Sequence, residues 1–135
     1  MYEVFEHTAD LGLRVRSDTP EGLFADAATG LFATIVDLEG VRPAQERAFR
    51  IEGTERDYLL FDWLNELLYT FDSEHVLFCE FDVWLDDKGL TARARGEPLD
   101  QARHELDHEV KAITYHGLTV QQNDGLWMAE VIVDI

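Results

Sequence analysis

The sequence has 135 residues, 46% of them hydrophobic and 11% aromatic, and its 28 acidic against 11 basic side chains give a net charge of −17. That is one domain's length, expected to fold as a unit over 1–135, and the apolar residues fall in periodic blocks, unlike those of a disordered chain. So acidic a surface repels phosphate backbones and anionic lipid, which excludes direct, stable nucleic-acid binding and membrane attachment, and no apolar run nears the roughly 20 residues of a spanning helix.

Residues 2–17 read as two short strands broken at His7-Thr8-Ala9-Asp10, because Val4 and then Leu11, Leu13 and Val15 alternate with polar neighbours. Thr19 and Pro20 suit the cap and first turn of a helix, whose apolar stripe is Leu23, Ala27 and Leu31 beside Phe24, Ala28 and Phe32. It is expected to stop near Asp37 to Gly40, and Phe49 and Ile51 then mark a strand with one buried face. Thr54 with Asp57 resembles a capping box for a second helix, which carries Leu60, Leu64, Leu67 and Phe71 beside Leu59, Trp63 and Leu68. The rings of Phe61, Trp63 and Phe71 recur at helical spacing and read as core, not as a stacking platform.

From His75 the period changes to two. Leu77, Cys79, Phe81, Val83 and Leu85 alternate, an Asp-Asp-Lys-Gly turn follows, and Leu90, Ala92 and Ala94 complete a hairpin. A polar stretch from Glu97 to His108 leads to two further strand patterns, a turn at Asn123 to Gly125, and a last strand from Trp127 to Ile135. The expected fold is α+β, a two-layer sandwich with two helices packed on a mostly antiparallel sheet. The N-terminus lacks the basic-then-apolar layout of a secretory signal, and Cys79 is the single cysteine, so a cytoplasmic protein is expected, with Cys79 a small buried hydrophobe.

Three constellations could carry chemistry. His104-Glu105-Leu106-Asp107-His108 matches the H-E-x-x-H pattern of zinc hydrolases, but the segment is short, polar and leads straight into a β pattern; two solvated histidines in an acidic loop are the plainer reading. Asp10 and Asp134 lie at opposite ends of the chain, Asp134 beside the last residue, Ile135. If these acids and the terminal carboxylate met, they would repel one another unless one were protonated or a hard cation, Ca²⁺ or Mg²⁺, sat among them. A frayed, solvated end is the alternative. Finally, Lys111 projects in a strand with Glu109, Ile113 and Tyr115, where it could pair with an acid, reach a phosphate or merely shield a sheet face.

Taken together, EHTADLGL, DWLNELLYTFDSE, GEPLD, EVKAITYHGLTV and the closing VIVDI run in an order that resembles the archease family, over nearly the whole chain. The resemblance implies a compact α/β sandwich and a non-catalytic protein cofactor of the tRNA-splicing RNA ligase, the GTP- and Mn²⁺-dependent enzyme that joins RNA ends bearing a 2′,3′-cyclic phosphate or 3′-phosphate to a 5′-hydroxyl. It implies promotion of ligase guanylylation and multiple turnover. It implies a divalent cation, calcium before magnesium, held by Asp10, Asp134 and Ile135, and it makes Lys111, with Glu109 and His7, partner- or nucleotide-proximal. Outside the family, a chaperone-like binding module and an H-E-x-x-H metallohydrolase are the other readings.

Overall fold

The computed structural model describes residues 1–7 and 10–135, with His7 described by its backbone alone. Strands β1 (Tyr2–His7) and β2 (Asp10–Ser17) pair antiparallel on either side of the sequence break, and helix α1 (Pro20–Ile35) follows. Its start is the one the sequence predicts: the Thr19 hydroxyl accepts from the Gly22 N–H at 3.0 Å, and Pro20 needs no donor in the first turn. Beyond a short 3-10 turn at Leu38–Gly40 come β3 (Gln45–Glu52) and α2 (Arg56–Glu74), then the hairpin β4 (Val76–Leu85) and β5 (Gly89–Pro98). Strands β6 (Ala112–Asn123) and β7 (Leu126–Asp134) complete the chain.

The α+β class, the two helices and the antiparallel pairing agree with expectation, but the strands divide between two sheets, ordered β1-β2-β7-β6 and β3-β5-β4. The reason lies in α1. Leu23, Phe24, Ala27, Ala28, Leu31, Phe32 and Ile35 bury almost its whole circumference, so one layer cannot cover it. It packs against β1 and β2 of the larger sheet and β4 of the smaller one, while α2 lies mainly along β6. Trp63 ties the helices together by donating its indole N–H to the Phe24 carbonyl at 3.0 Å from a fully buried position.

Other details depart from the sequence reading. The Thr54–Asp57 capping box does not form: α2 begins one residue too late, with Glu55 at the cap making no side-chain bond, and Asp57 accepts from the Tyr58 N–H instead. Residues 112–123 form one strand, not two, with a bulge between Thr114 and Thr119. Cys79 is only half-buried, though burial still pushes its thiol up and away from the nucleophilic thiolate. Among the described residues no helix is long and apolar enough to cross a membrane.

Candidate functional site

Asp10 opens β2 and Asp134 closes β7, and the antiparallel register sets them directly opposite each other. Along both strands the residues alternate. Leu11, Leu13, Val131 and Val133 enter the core, so Asp10 and Asp134 share the outward face with Arg14 and Glu130 four rungs further on. Directly opposed side chains in such a pair have Cβ atoms about 4.5–5.5 Å apart, and like charges there destabilise the sheet. Elsewhere on this face the acids are neutralised: Arg14 donates to Glu130 at 3.2 Å and to Glu3 at 2.8 Å. Among the described residues no basic side chain is bonded to Asp10 or Asp134.

The last residues are held, not frayed. The Lys111 N–H donates to the Asp134 carbonyl at 2.7 Å, Ala112 pairs with Asp134 on the side away from β2, and Ile135 packs half-buried against the core. The backbone on either side of the Asp134 side chain is therefore fixed, and Ile135 follows it directly. Two aspartates and a carboxylate are hard oxygen donors of the kind Ca²⁺ and Mg²⁺ take, and their mutual repulsion supplies a reason to bind one. A soft tetrahedral zinc set would need Cys or His instead. His7 pairs with Asp10 through the backbone, while its side chain, and Thr8 and Ala9, lie outside the described residues.

Lys111 and Glu109 belong to a different face. Residues 109–111 are irregular and β6 starts only at Ala112, so the strand expected to carry Glu109 and Lys111 does not extend to them; Lys111, with Ala112, lines a groove of about 800 Å³ between α2, β3 and the start of β6. Asp62, Glu66 and Asp72 line that groove with it. Partial burial raises the Asp72 carboxyl above its ordinary range, and the negative charge of Glu109 adds to the effect. The sequence-predicted residues thus form two sets joined through the Lys111–Asp134 backbone bond: the facing acids on the outer face, and Lys111 with Glu109 on the α2 side.

The H-E-x-x-H segment is not helical, and its histidines do not converge. His108 is exposed, whereas His104 is buried, so the expectation of two solvated histidines fails for His104. Its Nδ1 accepts from the Asp100 N–H at 2.9 Å, which leaves Nε2 as the protonated nitrogen that donates to Glu97 at 2.9 Å. Glu97 also accepts from Arg103 and, at 2.7 Å, from the Arg42 N–H, and these donors, Arg103 first, hold its carboxyl down at about 2. Arg103 reaches on to the Gly40 carbonyl at 2.8 Å. The same loop returns backbone N–H groups of Asp107 and His108 to the Ile35 and Thr34 carbonyls at 2.8 and 3.0 Å, capping α1. His104 is thus part of a loop clamp. Glu97 stands in the GEPLD segment, but nothing in the sequence links it to its partners, which come from two separate loops.

The family model described as Archease protein family (MTH1598/TM1083) matches residues 2–135. A protein archease of Methanopyrus kandleri is 44% identical over 138 residues, covering 99% of each chain. The solution structure of Methanobacterium thermoautotrophicum protein 1598 has a TM-score of 0.90 at 38% identity, covering 99% of this chain and 98% of that one. A Thermotoga maritima crystal structure, described as an archease and possible chaperone, shares the fold with a TM-score of 0.71 at 21% identity, covering 100% of this chain and 98% of its own.

Proposed function

The chain belongs to the archease family, and from that premise we propose that it is a non-catalytic protein cofactor of the tRNA-splicing RNA ligase, promoting guanylylation of the ligase and its repeated turnover. The observation that carries this reading is the Asp10–Asp134 rung, an otherwise unfavourable pairing of like charges held at the end of a rigid sheet. Asp10, Asp134 and the Ile135 carboxylate would hold one divalent cation, calcium or magnesium. When bound, it would supply a fixed double positive charge that offsets most of the charge of the three carboxylates and accepts further oxygen ligands from a partner.

This chain's own residues do the rest. The β2–β7 pairing and the Ile135 anchor keep the acids in place without a search for geometry, so they meet the ligase's nucleotide site preorganised. Lys111, bonded through its N–H to the Asp134 carbonyl, offers an ammonium at the neighbouring groove. The net charge of −17 suits a partner whose RNA-holding groove is positive: the cofactor is drawn to the surroundings of that groove and competes poorly as an RNA binder itself. Selection of an open ligase conformation that admits GTP or releases product is the alternative route to the same stimulation.

The test is single-turnover guanylylation of the cognate ligase with and without this protein. Acceleration by the wild type, its loss in Asp10→Asn with ligase binding intact, and its reduction in Lys111→Ala are the expected results. No acceleration by the wild type overturns the proposal; loss of binding in Asp10→Asn makes the acids interface residues instead. A second reading, a chaperone-like binding module, takes its support from the description of the Thermotoga maritima relative. It predicts suppression of aggregation of unrelated clients, unaffected by Asp10→Asn.

A further inference from the structure

Helix α2 and strand β6 meet at a group of aromatic rings that the site above does not use. Tyr115 stacks on Phe61 with ring centroids 3.8 Å apart and planes 13° from parallel, and Tyr58 meets Tyr115 edge-on at 5.8 Å. Tyr58 and Tyr115 nonetheless remain 53% and 54% exposed. The bulge in β6 shapes this place: Gly117 takes the left-handed φ of +67°, and the extra residues bring Tyr115 and Leu118 to the edge of a hollow of about 500 Å³ closed by Tyr58 and Asp57.

Tyr69, 66% exposed, likewise has no arginine over it among the described residues, but three other outward rings are treated differently. Arg14 lies over Phe5 at 4.5 Å, Arg56 over Trp127 at 4.9 Å and Arg93 over Trp84 at 6.0 Å. Each of those rings faces a guanidinium from this chain, the natural match for a ring's negative face. Among the described residues no cation lies over Tyr58 or Tyr115, and the nearest arginine in sequence, Arg56, is already engaged at Trp127. Asp57 at the rim accepts one backbone bond through Oδ1, and along α2 the exposed acids Asp62 and Glu66 extend the negative surface away from the hollow. Rings without a cation, a carboxylate at the rim and an open hollow beside them are the parts of a guanidinium site.

We propose that the hollow between Tyr58, Tyr115, Leu118 and Asp57 is a docking site for an arginine side chain of a basic partner protein. The guanidinium lies against the tyrosine rings and pairs with the Asp57 carboxylate, while the acids of α2 attract the basic surface around it. The site is on the α2–β6 face that also carries Lys111, so one partner can cover both. The inference takes the ligase as that partner from the reading above, but the chemistry of the hollow can be examined without it.

The test has two arms on the full chain. In the first, amide and side-chain NMR shifts are followed while N-acetylarginine amide, its neutral citrulline counterpart or a single-stranded oligonucleotide is added. Shifts centred on Tyr58, Tyr115 and Leu118 with the arginine compound alone are expected; equal shifts with citrulline, or shifts only with the oligonucleotide, overturn the proposal. In the second, binding to the cognate ligase is measured for wild type, Tyr115→Leu and the near-isosteric Asp57→Asn. Each variant is expected to weaken binding about 10-fold, and Asp57→Asn serves if Tyr115→Leu fails to fold. Unchanged ligase affinity in a folded variant overturns the docking site and leaves the ligase reading standing. A wild type that shows the arginine shifts but does not bind the ligase overturns the ligase reading alone.

Discussion

Two groups of acids in this molecule meet opposite fates. Glu97 is buried and fully answered: Arg103, the Arg42 N–H and His104 all donate to it, and its loop becomes the cap of α1. Asp10 and Asp134 are half-buried and face each other across one rung, with no bonded basic side chain among the described residues. The satisfied acid stabilises the fold, whereas the opposed acids are like charges on one rung, an arrangement expected to cost stability, and the strands around them hold them there. Chemistry is to be sought at the second, because a protein has no structural reason to seat two carboxylates on one rung.

That contrast is sharpest in its largest expected effect. Asp134→Asn should reduce stimulation of ligase guanylylation on the order of 100-fold, the scale on which disturbing a metal site is felt, with no loss of thermal stability in the cation-free protein. Glu97→Gln should do the reverse. It should cost about 2 kcal/mol by denaturant unfolding, a buried-pair effect reduced by the partial exposure of Arg103, and leave the stimulation unchanged for the folded protein. The same pair separates by pH. The Glu97 carboxyl is depressed to about 2, so its stabilising contribution is complete above the ordinary carboxyl range and is lost as pH falls from there through about 2. Unfolding followed across that window should show a shallower acid limb in Glu97→Gln than in the wild type. The smallest effect runs the other way: Asp10→Asn should stabilise the cation-free protein by about 0.5 kcal/mol, since it relieves like-charge opposition, and thermal unfolding without added metal reads it. Destabilisation there would mean that Asp10 makes a favourable contact of its own.

Much of the fold was legible where side chains alternate or recur. The strands on either side of His7 to Asp10, the Thr19 and Pro20 start of α1 and the hairpin around Lys88 follow from local pattern alone. The split into two sheets did not, because strand pairing is a long-range choice, although the all-round apolar surface of α1 was its sign. The start of α2 was misplaced because Thr54 and Asp57 have the spacing of a box without the backbone turn that would use it. His104 was misjudged for a related reason: its acid, Glu97, ends a strand on the far side of a turn, and no periodicity links them. Asp10 and Asp134 could be named from family resemblance, but only the register sets them on the same rung.

Calorimetric titration of metal-free protein with calcium tests the facing-acid site most directly. One calcium per chain in the wild type and in Glu97→Gln, and none in Asp10→Asn or Asp134→Asn, is the expected result; no uptake by the wild type, or uptake indifferent to both aspartates, would contradict it.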